Sequence, residues 1–149
     1  MPAPTRTPLI GALLRMPFEA VHHRIVAEAN AAGFDDFVLA HLAVLRYPGP
    51  GGRRPSDLAA GAGTTRQAMN YLLGQLEQLG YIARTDDPED LRSKRVSLTD
   101  RGEALRQTIR RSVQSIEQDL AQELGQVPYA QLRDLLVQLN DTKTIQREL

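Results

Sequence analysis

The sequence contains no cysteine. A chain without thiols has no disulfide framework, no thiol nucleophile, no thiolate zinc site and no cysteine redox sensor. It also lacks any apolar run near the roughly 18 residues that a membrane-spanning helix needs, and its proline-rich start has no apolar signal-peptide core. We therefore expect a cytoplasmic protein that has no membrane partner.

The chain also has no net charge, because 18 Lys and Arg balance 18 Asp and Glu. The sequence therefore lacks a large excess of Lys and Arg over Asp and Glu, which would be the simplest indication of a nucleic-acid partner. The charge is nevertheless uneven: residues 53–111 contain 11 basic against 8 acidic side chains, and residues 112–149 contain 3 against 6. The middle of the chain is mildly basic and its end is mildly acidic.

Sequence motifs of catalysis and cofactor binding are missing as well. The glycine-rich stretch at 48–52 lacks the Gly-Lys-Ser/Thr ending of a phosphate-binding loop, and neither Gly-x-Ser-x-Gly nor His-Glu-x-x-His occurs. The three histidines, His22, His23 and His41, do not have the spacing of metal ligands. We expect no enzymatic activity, no catalytic residue, no cofactor and no bound metal.

What the 149 residues do contain is a series of helical patterns, with enough apolar side chains (42%) for one domain. The first helix is expected to pass Pro17, which either kinks it or opens a new first turn, and to end at Gly33. Asp35 is expected to cap a second helix over about 36–46. The breaker sequence at 48–52 is expected to form a loop.

Two further helices are predicted close together in the centre of the chain. Residues 55–60 allow only about two turns before a glycine-containing turn. Thr64 or Thr65 then caps a longer helix that ends near Gly80, and Gln67 is placed to complete a capping box on Thr64. A short helix, a tight turn and a longer helix result.

The rest of the chain predicts a hairpin and two helices. Strands are expected at 81–85 and 93–98, with a long turn-rich loop between them. A narrow apolar seam over 105–124 predicts a long helix that packs on another helix, and Pro128 opens a last helix with a leucine stripe over 132–139. The expected fold class is mainly α with a small β-hairpin wing.

Helix, turn, helix and hairpin form the winged helix-turn-helix arrangement, in which the second helix enters the DNA major groove. The sequence resembles the MarR family of bacterial regulators through PSDLA at 55–59, TRQAMN at 65–70 and LEQLGY at 76–81. Asp90-x-Arg92, Leu98-Thr99 and Gly102 match the spacing of that family's wing and following helix. The resemblance implies a single domain with a winged helix-turn-helix lobe at 35–100 and dimerisation helices at 1–34 and 101–149.

The second helix of this unit is expected to read DNA bases. Successive residues of an α-helix are about 100° apart around its axis. This spacing places apolar residues on one side of the predicted helix and polar residues on the other. The apolar side holds Leu72, Leu76 and Leu79, with Met69 at its edge, and the polar side holds Gln67, Asn70, Tyr71 and Gly74. Asn and Gln side chains match the donor and acceptor of adenine, whereas Tyr71 suits a phosphate or a thymine methyl. Gly74 either permits close approach of DNA or relieves packing against a neighbour.

The wing contains cations and carboxylates in equal number. The cations are Arg84, Arg92, Lys94 and Arg95, and the resemblance implies that Arg92 enters the minor groove. The carboxylates are Asp86, Asp87, Glu89 and Asp90, which must turn away from DNA or pair with the arginines. We expect Asp90 to orient Arg92 or Arg95. Arg53 and Arg54 are either phosphate clamps or solvated, and Ser56 caps its helix, contacts phosphate or does both.

These observations favour a sequence-specific transcriptional regulator, first of all a repressor, that binds an inverted repeat of double-stranded DNA as a homodimer. The expected DNA-binding residues are Ser56, Thr65, Arg66, Gln67, Asn70, Tyr71, Arg84, Arg92, Lys94 and Arg95. The resemblance also implies a pocket for a small organic effector between the first, second and fifth helices, to which we assign no residue. The alternative is a winged-helix module for protein contacts, without sequence-specific DNA binding.

Overall fold

The computed structural model describes residues 8–45 and 52–146. Its elements are α1 Ile10–Ala31, a 3₁₀ helix Leu39–His41, α2 Leu42–Leu45, α3 Pro55–Gly61, α4 Arg66–Gln78, β1 Ile82–Asp87, β2 Asp90–Leu98, α5 Asp100–Leu124, α6 Gln126–Asn140 and α7 Lys143–Gln146. The expected fold class, mainly helical with one antiparallel hairpin, is confirmed. Of the predicted loop at 48–52, only Gly52 is among the described residues. Across both described ranges, no helix has the length and apolarity to cross a membrane.

The first helix, α1, runs through Pro17 without interruption. Proline removes only its own hydrogen bond, so a helix of 22 residues tolerates it, and the alternative of a new helix starting there is wrong. As predicted, the helix ends before Gly33, whose φ of +99° is a conformation that side-chain-bearing residues rarely adopt. Within α1 only Ile25 and Ala29 are fully buried.

The second predicted helix begins later than the sequence indicated, and Asp35 does not cap it. Val38, with extended backbone, precedes the 3₁₀ helix. Asp36 was expected to be helical, but it lies in a turn where its carboxylate accepts hydrogen bonds from the Tyr81 hydroxyl and from Arg101. Long-range partners therefore determine this segment's backbone. The predicted end of the helix at Arg46 lies outside the described residues.

The helix-turn-helix unit forms as predicted, apart from its caps. Pro55 opens α3 after Arg54, so Ser56 is inside the helix and does not cap it. Thr65 caps α4, because its side chain accepts a hydrogen bond from the Ala68 N–H at 3.1 Å. The capping box on Thr64 is therefore wrong, and the alternative cap at Thr65 is confirmed.

The wing has longer strands and a tighter turn than predicted. The ladder pairs Ile82 with Leu98 and continues to Asp86 opposite Lys94, with a register shift before Asp87. Only residues 88 and 89 connect the strands, so the predicted long loop is wrong. Arg53 forms an isolated antiparallel bridge with Val96 of β2 through two backbone hydrogen bonds, at 3.0 and 2.8 Å.

The wing is tied to α5 through Thr99. Its hydroxyl donates to the Gly80 carbonyl at 2.5 Å and accepts from the Gly102 N–H at 3.1 Å. Gly102 lies so close to β1 that an added Cβ would be 1.9 Å from the Tyr81 carbonyl oxygen. Close packing of helix on strand thus explains why the sequence carries Thr and Gly at this spacing.

A single apolar core joins the helix-turn-helix unit to α1 and α5. Its largest fully buried side chains are Phe37, Val44, Leu58, Met69, Leu73, Leu76, Tyr81, Val96 and Leu105. The predicted seam on α5 is only partly covered within one chain, since Leu105 and Ile116 are buried whereas Leu124 is 49% exposed. Helix α6 packs on α5 but has no fully buried residue.

Candidate nucleic-acid interface

One face of α4 is buried and the opposite face is open. The buried stripe is Met69, Leu73 and Leu76. Leu72 and Leu79, which were expected in this stripe, are only partly buried, and Met69 lies at its centre and not at its edge. The buried face of α4 includes Leu73 because the helix packs against α3, the 3₁₀ helix, α2 and β1 at the same time.

The open face carries the predicted base-reading side chains. Gln67, Asn70 and Tyr71 are all exposed, and Tyr71 keeps 67% of its surface. Arg66, also exposed, precedes them in the first turn of the helix, where backbone N–H groups favour an anion. This face therefore combines amide, phenol and guanidinium groups on the regular surface of one helix.

Gly74 lies on the same side of α4 as Asn70 and Tyr71, as the sequence predicted, but the Arg84 side chain partly covers it. It is half-buried, and the nearest atom to an added Cβ is Arg84 Nη2 at 3.8 Å. The Arg84 guanidinium crosses α4 at this point, with its Nε 3.1 Å from Glu77 Oε2. An added Cβ would make only ordinary contact with Arg84, so both explanations left open for this glycine stay predictions.

Asp87 lies at the centre of a charge network in the wing. Its side chain is completely buried (0% exposed). Arg54 Nε is 2.7 Å from one carboxylate oxygen, and Arg95 Nε is 2.9 Å from the other. Arg95 also reaches Glu89 at 2.9 Å. The network joins the start of α3 to the turn of the wing, and it pairs two of the four wing carboxylates, Asp87 and Glu89, with arginines.

The same network lowers the pKa of Asp87 from its ordinary value of 3.8 to about 2. The largest cause is the hydrogen bond that the carboxylate accepts from the Glu89 backbone N–H, at 3.0 Å. Burial opposes this effect, and the interactions with Arg54 and Arg95, each smaller than the effect of burial, lower the pKa further. Asp87 is therefore ionised at neutral pH.

The other two wing carboxylates have different partners. Asp86 pairs with Lys94 across the ladder, with both side chains largely exposed. Asp90 accepts hydrogen bonds from the Arg92 backbone N–H at 3.1 Å and from the Ser93 hydroxyl at 2.8 Å. Contrary to expectation, Asp90 thus fixes the backbone before Arg92 and does not hold a guanidinium group of Arg92 or Arg95.

The wing and α4 border a common groove of about 410 Å³. Seven of its lining residues are polar or charged: Arg54, Ser56, Arg66, Asn70, Arg84, Ser93 and Lys94. Five of these were among the predicted DNA-binding residues. Ser93 was not singled out from the sequence, and Arg54 was left between a clamp and a solvated residue, because no local pattern shows that α3 begins beside the wing.

The described part of the chain contains no cluster of metal-ligating side chains. Among residues 8–45 and 52–146, no three His, Asp or Glu side chains lie close enough together to hold a metal ion. His41 is buried, and burial lowers its pKa more than a hydrogen bond to Gln75 and the charge of Asp36 raise it.

Comparison with known proteins identifies this arrangement. The MarR family model matches residues 39–93, from the 3₁₀ helix into the wing. The HTH-type transcriptional regulator PapX of Escherichia coli is 36% identical over 73 residues, which are 49% of this chain and 44% of PapX. Residues 39–93 of this chain are therefore similar to the MarR family. The segment matched by the family model contains eight of the ten predicted DNA-binding residues, and Lys94 and Arg95 lie directly after it.

Solved structures of similar fold extend the likeness to most of the chain. The MarR family protein Rv2887 of Mycobacterium tuberculosis, in complex with p-aminosalicylic acid, gives a TM-score of 0.66 at 25% identity, covering 90% of this chain and all of that one. A mutant of S. aureus MepR bound to an oligodeoxyribonucleotide gives 0.60 at 22% identity, covering 89% and 96%. The chain spans less than half the length of the curated relative PapX.

Proposed function

We propose that this chain is a transcriptional regulator of the MarR family that binds double-stranded DNA, with α4 in the major groove and the wing in the adjacent minor groove. One observation carries the proposal: the open face of α4 and the basic side of the wing border the same groove. A winged helix-turn-helix module needs this arrangement because both elements must contact one duplex at once. The DNA-bound MepR mutant has the same fold.

Base reading is assigned to the open face of α4. Asn70 and Gln67 offer an adenine edge a donor and an acceptor, and Tyr71 offers a hydroxyl. Around them, Arg66, Ser56 and the Thr65 hydroxyl, which keeps a hydrogen to donate while it caps α4, are assigned to phosphates. These contacts set the position of the helix, whereas the α4 amides discriminate between sequences.

The cations of the wing are assigned two roles according to their pairing. The Arg92 side chain is exposed and has no ion pair among the described residues, so it is the wing cation proposed to enter the minor groove. Lys94 and Arg84 border the groove and are assigned to phosphate, although each is also paired with a carboxylate outside the groove lining. Arg95, held by Asp87 and Glu89, is assigned to shaping the wing, with phosphate contact second.

We further propose a homodimer that binds an inverted repeat, with α1, α5 and α6 forming the dimerisation lobe. The support is the exposed apolar surface on the ends of these helices: Ile10, Leu13, Phe18, Leu124, Val127, Leu132, Leu135 and Val137 are each at least 42% exposed. An apolar surface of this extent on a soluble chain indicates an interface. A two-fold dimer presents two copies of α4, so half-site centres about 10 base pairs apart, or a multiple, are expected.

Repression relieved by a small organic effector completes the proposal. A dimer bound to promoter DNA prevents other proteins from binding there. A ligand that favours a different spacing of the two α4 helices lowers the affinity of the dimer for DNA and so relieves repression. The complex of Rv2887 with p-aminosalicylic acid supports an aromatic acid as the first effector to test. Thermal shift and gel shift with aromatic carboxylates measure this directly.

The test of base reading is Asn70→Ala, measured on the duplex upstream of the protein's own gene and on a scrambled duplex. If Asn70 contacts a base, its loss costs about 1–3 kcal/mol on the first duplex and little on the second. Equal loss on both duplexes would contradict base reading. Absence of any preference in the unmodified protein would instead favour a winged-helix module for protein contacts.

A further inference from the structure

The side chain of Arg101, the second residue of α5, contacts three separate parts of the chain. Its Nη2 donates to Asp36 Oδ2 at 2.8 Å, in the turn that follows α1. Its Nη1 donates to the carbonyl oxygen of Leu79, the residue that follows the last turn of α4. Its guanidinium carbon lies 4.3 Å from the centre of the Tyr81 ring, just before β1. All three partners belong to the predicted winged helix-turn-helix lobe, whereas Arg101 belongs to the predicted dimerisation helices.

At the end of α4, Arg101 supplies a charge that the helix itself lacks. The last carbonyl groups of a helix have no partner within it and carry partial negative charge, which a nearby cation stabilises. The last turn of α4, residues 75–78, contains Glu77 and no basic residue. The hydrogen bond from Arg101 to the Leu79 carbonyl therefore places the missing cation at this helix end, and it joins α4 directly to α5.

Asp36 holds the guanidinium group in this position. One oxygen of its carboxylate accepts from Arg101, and the other accepts from the hydroxyl of the fully buried Tyr81. Burial raises the pKa of Asp36, but the hydrogen bonds from Tyr81 and Arg101 and the charge of Arg101 together lower it, so the group is ionised at neutral pH. Burial and the hydrogen bond to Asp36 raise the pKa of Tyr81, so its hydroxyl keeps the proton that it donates.

These contacts differ from the connection that Thr99 and Gly102 make between the wing and α5. Thr99 and Gly102 hold the backbone of residues 80 and 81, which is one point of the lobe. Contact at one point permits rotation about it, whereas further contacts at the end of α4 and in the turn after α1 oppose rotation. The side chains of Arg101 and Asp36 are 41% and 30% exposed, and ion pairs this accessible contribute little to stability. The effect of Arg101 is therefore on orientation.

We propose that Arg101 is a positioning residue that fixes the orientation of α4 relative to α5, and thereby the half-site spacing that a dimer of this chain accepts. Two copies of α4 contact one duplex only if their separation matches that of the half-sites. Their separation depends on how each α4 is joined to the dimerisation helices. The inference rests on the proposed function, because it names the residue that sets the geometry of the proposed DNA complex.

The first test measures the free full-length protein and needs neither a dimer nor DNA. The chain has no cysteine, so Gln67→Cys on α4 and Gln114→Cys on α5, both exposed positions, carry the only two spin labels. Electron–electron double resonance on labelled chains diluted with unlabelled protein gives the distance between α4 and α5 within one chain. Arg101→Met is expected to broaden or shift this distance distribution. Arg106→Met, which removes an arginine paired with Glu103 inside α5, is the matched control and is expected to leave the distribution unchanged.

An unchanged distribution in Arg101→Met would overturn the proposal, whether or not the protein binds DNA. Arg101→Lys is the second variant, should Arg101→Met not fold. It keeps the positive charge, but its single ammonium group does not reproduce the planar fork that donates to Asp36 and Leu79 together. The same change in the distribution is expected for it, and an unchanged distribution would likewise overturn the proposal.

The second test measures the proposed DNA complex by fluorescence anisotropy. The duplex upstream of the protein's own gene is compared with duplexes whose half-site spacing is one base pair longer or shorter. The unmodified protein and Arg106→Met are expected to lose affinity on the altered spacings, and Arg101→Met is expected to lose about two- to tenfold less, the range for one coupled contact. Equal losses in Arg101→Met and the unmodified protein, or no loss in either, would overturn the role in spacing. Should the unmodified protein show no specific DNA binding while its distance distribution responds to Arg101→Met, the proposed function would fail and the orientation of α4 by Arg101 would stand.

Discussion

At the scale of single residues, two helical glycines differ in what a methyl group would meet. At Gly102 the added Cβ lies 1.9 Å from the Tyr81 carbonyl oxygen, whereas at Gly74 the nearest atom is 3.8 Å away. Gly102→Ala must therefore displace α5 from β1, and we expect it to lower the free energy of unfolding by about 1–3 kcal/mol or more. Gly74→Ala, the matched control, is expected to raise it by up to about 1 kcal/mol, because alanine favours the helix.

Urea denaturation of the two variants measures both changes. Gly74→Ala also separates the two explanations that the sequence left open for this position. If DNA affinity is unchanged in the stabilised variant, the glycine serves packing next to Arg84. Loss of DNA affinity with stability kept would show that DNA approaches the backbone there, and an unaffected Gly102→Ala would contradict the tight contact with Tyr81.

Asp87 makes the wing sensitive to acid. Its pKa in the folded chain, about 2, is below its ordinary value of 3.8, so the folded state binds a proton less readily than the unfolded state. The ionised group therefore contributes stability above about pH 4, and this contribution is lost as the pH falls toward 2. We expect Asp87→Asn to lower Tm by roughly 3–8 °C at pH 7 and by much less at pH 2.5.

Differential scanning fluorimetry at several pH values measures this difference. Asp86→Asn is the control, since Asp86 and Lys94 are 63% and 56% exposed and such pairs contribute little to stability. A Tm difference between the unmodified protein and Asp87→Asn that stays constant from pH 7 to pH 2.5 would show that the carboxylate is not held in its ionised form.

At the scale of elements, the wing contains cations that hold its structure and one cation that is proposed to contact DNA. Arg95 is bound by Asp87 and Glu89, whereas Arg92 has no ion pair in the described part of the chain. A phosphate-rich groove attracts the unpaired charge more strongly, because no carboxylate must first be displaced. We expect Arg92→Ala to make the slope of log affinity against log salt shallower by about one unit per half-site.

Arg95→Ala is expected to change that slope less and to lower Tm more, since it leaves Asp87 with one arginine. Arg110→Ala, an exposed arginine on α5, is the control and is expected to change neither. Binding isotherms at three salt concentrations, with melting curves of the same proteins, measure both quantities. Identical slopes for Arg92→Ala and Arg95→Ala would show that pairing within the wing does not decide which cation contacts DNA.

At the scale of the whole molecule, the apolar surface of the terminal helices predicts association. We expect sedimentation to give about twice the chain mass of 16.5 kDa. Leu135, 62% exposed on α6, lies on this surface, so Leu135→Lys places a charge in the interface and is expected to yield monomers with reduced DNA affinity. Leu91→Lys, at an 81% exposed position in the wing, is expected to remain dimeric.

A monomer at micromolar concentration in the unmodified protein would contradict the proposed dimer. Should Leu135→Lys stay dimeric, the interface lies elsewhere on α1 or α5, and the division into a DNA-binding lobe at 35–100 and a dimerisation lobe at 1–34 and 101–149 needs revision. That division stays a prediction until the interface is mapped.

The features that the sequence determined by itself depend on neighbouring residues. Gly33 and Gly80 end helices because only glycine adopts positive φ at low cost, and Pro55 opens α3 because its missing N–H is not needed there. The fold class followed from such local signals and from their order along the chain, whereas the likeness to the MarR family rested on the resemblance of its motif residues. The exposed position of Asn70 and Tyr71 followed from helical periodicity alone.

Tertiary structure decided the features that depend on a partner distant in sequence. Asp36 does not begin a helix because Tyr81 and Arg101 bind its carboxylate. The wing turn is short because the ladder continues to Asp87 opposite Asp90, and there Arg54 and Arg95 pair with the buried Asp87 carboxylate. Helical periodicity can be read from one segment of the sequence. Which charged residues pair with Asp36 and Asp87 depends on which elements the fold brings together.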